Sequence, residues 1–140
     1  MRRASWFSLS FLAVFLLWGA AQADQIRFKA DLAPGPGVTS SGKGTATATL
    51  DTSNKTLTWM VDYSGLSGPA KAAHIHGPAD PGANAGIVVP FTGNLASPIK
   101  GSATLTDEQI GQLEAGKWYV NIHTDANKPG EIRGQLVRAS

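Results

Sequence analysis

Apolar and polar side chains alternate along much of the chain after residue 24, which is typical of β-strands with one buried face. In residues 56–63 (TLTWMVDY), the side chains of Leu57, Trp59 and Val61 share one face, and polar residues lie between them. The same reasoning predicts eight strands, at residues 25–32, 44–50, 56–63, 71–76, 86–91, 99–105, 117–123 and 131–137.

One short helix interrupts this pattern. Residues 106–109 (TDEQ) form a capping box, and Gly116 is a suitable C-terminal stop, so we expect a helix over 106–115. Short strands with Gly- and Pro-containing turns predict an all-β Greek-key sandwich or barrel of about 7–8 strands. The residues expected in its core are Trp59, Val61, Val88, Val120, Ile122 and Leu136.

The first 23 residues have the pattern of a signal peptide. Arg2 and Arg3 precede an apolar run over 6–18, and Ala21 and Ala23 provide the small residues that a signal peptidase reads. A membrane anchor is the competing interpretation, but the run is shorter than the roughly 20 residues that a span requires. We therefore expect export, to the periplasm or the medium, as one domain over 24–140, with no membrane attachment after cleavage.

Charge and cysteine content exclude several functions. Loss of Arg2 and Arg3 leaves ten basic and ten acidic residues, so no electrostatic nucleic-acid or membrane partner is predicted. The absence of cysteine excludes disulfides, thiolate metal sites and cysteine nucleophiles. No nucleophile–base pattern indicates a hydrolase, and catalytic residues are not predicted.

All three histidines of the chain fall in two short segments, 74–80 (HIHGPAD) and 119–125 (YVNIHTD). His74 and His76 face the same way in a strand, and His123 points away from the apolar face of the other strand. Three imidazoles suit copper or zinc. The alternative is that they are solvated residues on an outer sheet face. Asp125 is a candidate to orient an imidazole, whereas Asp80 is better explained as a turn residue.

A longer set of motifs resembles a known family. AAHIHGPADPGANAGIVVPF, a Gly-Ser-Ala-Thr strand, a capped helix and WYVNIHTDANKPGEIRGQL together resemble the CHRD domain, which is named for chordin. The resemblance extends from about Ile26 to Leu136 and implies an all-β domain, common as a single unit in exported bacterial proteins. It implies no settled biochemical activity.

The two histidine segments also resemble parts of copper/zinc superoxide dismutases. That resemblance implies copper ligands at His74, His76 and His123, and an anion-attracting role for Arg133, which otherwise would pair with Glu131 or a neighbour. The chain has no fourth histidine to bridge two metals and no cysteine pair, so dismutase activity is not expected.

Two functions from different classes remain. In the first, an exported CHRD domain binds one copper ion, in copper binding or redox protection. In the second, it is a metal-free extracellular module that binds a protein or glycan through its sheet surface and the 77–86 and 124–130 loops.

Overall fold

The computed structural model describes residues 13–15 and 24–139, and in this part of the chain it contains nine strands and one short helix. The elements are β1 (Gln25–Pro34), β2 (Lys43–Asp51), β3 (Thr56–Ser64), β4 (Ala72–His76), β5 (Ile87–Pro90), β6 (Ile99–Thr104), α1 (Asp107–Glu114), β7 (Tyr119–His123), β8 (Ile132–Gln135) and β9 (Val137–Arg138). The predicted all-β class is confirmed. The last predicted strand is divided at Leu136, so there is one strand more than expected.

The strands form an antiparallel, nearly closed barrel in the order β5-β4-β7-β8-β1-β2-β3-β6, with β9 paired to β1. The connections from β3 to β4 and from β6 to β7 join strands that are distant in this order, as in Greek-key folds. Strands β5 and β6 are the two ends of the path. The rings of Trp59 and Phe91 stack with centroids 4.8 Å apart, and both are buried in the core.

The core follows the alternation of each strand. Trp59, Val61, Val120, Ile122 and Leu136 are buried, as predicted. The prediction for Val88 is wrong. It is half-buried, and its neighbour Val89 lies in the core opposite Ile75. Directly paired residues of adjacent strands point to the same face, so the register with β4 selects Val89.

Helix α1 begins and ends as the sequence indicates. The Thr106 hydroxyl accepts from the Gln109 backbone N–H at 3.2 Å, and the Gln109 side chain accepts from the Thr106 N–H at 2.9 Å, which completes the capping box. Leu113 is fully buried. The indole N–H of Trp118 donates to the Gln112 side chain at 3.0 Å, which attaches the helix to the start of β7.

The predicted signal peptide lies outside the described residues except for 13–15, so export stays a prediction. Within the described residues, no helix has the length and apolar character needed to cross a bilayer.

Candidate metal centre

The three histidines lie together on adjacent strands. β4 and β7 pair antiparallel, with His74 opposite Asn121, His76 opposite Tyr119 and His123 opposite Ala72. Ile75 and Ile122 point from these two strands into the core. All three histidines therefore project from the other face of the sheet, away from the core. The structure thus places the two histidine segments side by side, which the strand pattern alone did not specify.

The imidazole nitrogens converge. His74 Nδ1 lies 3.1 Å from His123 Nε2, and one ring nitrogen from each of the three residues lies within 4.8 Å of the others. The centroid of the His74 ring lies 5.4 Å from that of His76 and 4.9 Å from that of His123. The three side chains are half-buried, so the cluster is partly shielded from solvent but still reachable.

Backbone carbonyls orient two of the rings. His76 Nδ1 donates to the carbonyl of Ala85 at 2.9 Å, and His123 Nδ1 donates to the carbonyl of Lys128 at 2.8 Å. A carbonyl only accepts, so each Nδ1 carries a proton, and in the neutral imidazole each Nε2 has the lone pair. His76 Nε2 is buried with no hydrogen-bond partner among the described residues. A buried ring nitrogen with a free lone pair is suited to bind a cation.

The electrostatic setting favours neutral imidazoles. Burial lowers the pKa of His74, and the nearby His123 and His76 lower it further. Burial also lowers the pKa of His76, and the charges of His123 and Arg133 add to this, while the bond to the Ala85 carbonyl opposes it. Neutral imidazole is the form that binds metals.

The sheet face that carries the histidines is not an open, solvated surface. Tyr119 and Asn121, on the same face of β7 as His123, are only 2% and 5% exposed. The 77–86 loop covers Tyr119, whose hydroxyl accepts from the Ala85 N–H at 3.1 Å. The histidines are therefore half-buried beside covered residues on the outer face of the sheet.

Arg133 fastens the same loop. Its guanidinium donates to the Asn84 side chain at 2.8 Å and to the Ala83 carbonyl at 2.7 Å. Its central carbon also lies 3.7 Å from the centre of the Tyr119 ring. It does not pair with Glu131, which was one alternative, but its position near His76 is compatible with the predicted attraction of an anion.

Glu131 holds the 124–130 loop, which lies on the other side of the histidines from the 77–86 loop. Its fully buried carboxylate accepts five hydrogen bonds. Burial would raise the pKa of Glu131, but bonds from Ser67, Thr124 and Ser40 outweigh it and lower the pKa to about 2. One of the five bonds comes from the Asn127 side chain, at 3.1 Å. Glu131 thereby holds the 124–130 loop, which presents the Lys128 carbonyl to His123.

The two aspartates are placed differently from one another. Asp125 was predicted to orient an imidazole, but backbone carbonyls have that role here, and Asp125 instead lies 3.7 Å from the Lys71 ammonium group. Asp80 behaves as a turn residue, as expected. Its carbonyl accepts from the Ala83 N–H at 3.0 Å, and its side chain pairs with Lys117.

The fold and the cluster define a small antiparallel β-barrel with three converging histidines on one face. Comparison with known families gives a match to the model of the CHRD domain over residues 28–136. The chain belongs to the CHRD domain family. Comparisons with curated proteins and with solved structures gave no significant match.

Proposed function

We propose that this CHRD domain is exported and binds a single copper ion through His74, His76 and His123, in copper binding or redox protection rather than as a multi-step enzyme. The observation that carries the proposal is the convergence of three imidazole nitrogens within 4.8 Å of one another. The tautomers of His76 and His123 support it, because both Nδ1 atoms donate to carbonyls and the Nε2 atoms face the cluster as acceptors.

The distances fit one ion. Metal–nitrogen bonds of roughly 2.0–2.1 Å separate neighbouring ligand nitrogens by about 2.9–3.6 Å, depending on the coordination angle. The 3.1 Å between His74 Nδ1 and His123 Nε2 already lies in this range. The ligand nitrogens lie within 4.8 Å of one another, so side-chain displacements of about 1 Å would bring all three to bonding distance of one ion. In the metal-free protein, His74 Nδ1 donates to His123 Nε2 and holds the two rings in this arrangement. Copper binding at these two atoms would require the His74 proton to move from Nδ1 to Nε2.

The ligand set favours copper. Imidazole nitrogens suit copper and zinc, and divalent copper binds most tightly in the first-row series. The chain has no cysteine, and no carboxylate of the described residues belongs to the cluster, so hard cations such as calcium and magnesium are disfavoured. The resemblance of the two histidine segments to copper/zinc superoxide dismutases agrees with this choice. A second, bridged metal is not proposed, since there is no fourth histidine.

The residues of the chain would bind and orient the ion. The three imidazoles supply its ligands, and the carbonyls of Ala85 and Lys128 fix the rotation of the His76 and His123 rings. Copper at this position would exchange electrons with small oxidants or reductants. Arg133 supplies a positive charge close to His76, which would attract an anion toward the site.

The test is a copper titration of the metal-free protein, followed by calorimetry and by metal analysis. We expect one copper per chain in the wild type. His123→Ala and the double variant His74→Ala/His76→Ala should each lose most of the affinity, and copper should raise the melting temperature of the wild type alone. The variants are clean because the chain has no other histidine.

Asp125→Asn is the matched control, since Asp125 lies next to the cluster in sequence but pairs with Lys71. Its affinity should equal that of the wild type. Equally weak binding by the wild type and the double variant would exclude the copper site. The metal-free interaction module, with a protein or glycan partner, would then be the better proposal.

A further inference from the structure

A cavity of about 320 Å³ lies next to the histidine cluster, beneath the 77–86 loop. We call it the chamber. Its walls come from three neighbouring strands and three loops, and they include His76, Tyr119, Asn121, Arg133, Gly35 and Gly130. The volume is at the small end of the range for ligand pockets and is about ten times the share of one water molecule in the liquid. It therefore suits a small molecule.

The chamber contains a buried hydrogen-bond acceptor with no partner. Asn121 is 5% exposed, and its Oδ1 atom is buried and unpaired among the described residues. The amide orientation is fixed, because its Nδ2 donates to the Pro129 carbonyl at 3.2 Å, and the reverse orientation would bring two oxygens together. Buried acceptors are nearly always paired, so we expect Asn121 Oδ1 to accept a hydrogen bond from a molecule outside the chain.

His76 presents a second such atom. Its Nδ1 is the donor to the Ala85 carbonyl, so the buried and unpaired Nε2 is an acceptor. The chamber thus joins the candidate metal centre through His76.

Arg133 gives the chamber an uncompensated positive charge. Two of its N–H groups donate to neutral acceptors, the Asn84 side chain and the Ala83 carbonyl, and its plane covers Tyr119. A guanidinium has five N–H groups, so three have no partner among the described residues. In the described part of the chain, no carboxylate forms an ion pair with Arg133. An anion is the ligand that this group selects.

The acceptor and the cation belong to neighbouring residues that line the same chamber. Asn121 and Arg133 are direct partners across β7 and β8, and such pairs have Cβ atoms about 4.5–5.5 Å apart. A small ligand that satisfies both must carry an anionic group and a hydrogen-bond donor on the same molecule. Acetate lacks the donor, and a neutral alcohol lacks the charge.

We propose that the chamber binds a small hydroxycarboxylate, with its carboxylate on Arg133 and its hydroxyl donating to Asn121 Oδ1. In the copper-loaded protein this ligand lies beside His76, so the inference also names the ligand class of the proposed metal centre and, to that extent, rests on the proposed function. The part that concerns Asn121 and Arg133 does not require the metal.

The test compares glycolate with acetate, which differ by the hydroxyl group, in calorimetric titrations of the metal-free and the copper-loaded protein. The wild type should bind glycolate about tenfold more tightly than acetate, the factor expected of one hydrogen bond to a buried acceptor. Asn121→Leu should bring this ratio close to one. Arg133→Gln should weaken both acids at least about tenfold, as loss of a charge-assisted bond does.

Lys100→Gln is the charge control, because Lys100 is exposed on β6, away from β7 and β8, and its affinities should match the wild type. Melting curves of each variant show whether it is folded, and Asn121→Ala replaces Asn121→Leu if leucine prevents folding. Equal affinities for the two acids in the wild type, no saturable binding of either acid, or binding that Arg133→Gln leaves unchanged would each overturn the proposal. Glycolate preference without copper binding would reject the copper proposal alone, and copper binding without that preference would reject the chamber alone.

Discussion

Glu131 provides the sharpest test of how the loops are held beside the histidines. The perturbation is Glu131→Gln, which keeps the shape of the side chain but removes its charge. At pH 7 the wild-type carboxylate accepts five hydrogen bonds from Ser40, Ser67, Thr124 and Asn127. In the variant, an NH₂ group faces donors that previously had an acceptor, so the free energy of unfolding should fall.

The magnitude follows from the pKa. The folded-state pKa of Glu131 is about 2, against 4.5 for an unperturbed glutamate. This difference corresponds to about 3 kcal/mol at most. Because the folded pKa is lowered, the stabilisation is fully present above pH 4.5 and is lost as the pH falls toward 2. At pH 3 about half or less should remain.

The assay is urea denaturation of the wild type and the variant at pH 7 and at pH 3. The difference in unfolding free energy between the two proteins should shrink from pH 7 to pH 3, because the wild type loses the advantage that the variant never had. Glu114→Gln, at an exposed helix position, is the control and should show no such change. A difference near zero at pH 7, or one that is the same at both pH values, would refute the reasoning.

Three other predictions follow from the fold and the site. Copper affinity should fall in titrations as the pH drops below the ordinary histidine range of about 6.5, because the ligand must be neutral, and the lowered pKa values of His74 and His76 should displace this loss toward lower pH. Unchanged affinity at pH 5 would contradict imidazole ligands. Ile122→Ala should cost about 2–5 kcal/mol in chemical denaturation, since Ile122 is fully buried, and a loss within error would contradict its place in the core. N-terminal sequencing of exported material should begin at Asp24, whereas membrane-bound protein that retains Met1 would favour an anchor.

The strand pattern was enough to predict most of the barrel because alternation reports which side of a strand is buried. In β3, Leu57, Trp59 and Val61 are separated by polar residues, so only one face can enter the core. In β5 the run Ile87, Val88 and Val89 does not alternate, and the pattern has no preference between its two faces. The pairing of Val89 with Ile75 decides the matter, and that pairing is a tertiary fact.

The candidate site was predictable in its ligands but not in its supports. Alternate residues of a strand face the same way, so His74 and His76 were predicted to share one face. The register of β4 with β7 brings His123 next to them. The buried carboxylate of Glu131 could not be recognised in advance, because its donors come from segments near residues 40, 67 and 124–127. A sequence shows a charge at that position but not the hydroxyls that surround it.

The site combines side chains from strands with main-chain groups from loops. This explains why the residues that support the histidines could not be predicted from the sequence. The strands supply the three imidazoles, whereas the loops supply main-chain carbonyls at Ala85 and Lys128, which any residue type can provide. The orientation of the His76 and His123 rings therefore depends on the residues that fix the backbone conformation of the loops. Gly130 has a φ of +128° and packs so closely on Asn121 that a Cβ would lie 2.2 Å from Oδ1, so a side chain there would displace the chamber wall. Gly130 and Glu131, neither of which is a candidate ligand, thus hold the backbone that carries the Lys128 carbonyl, and through it the orientation of His123.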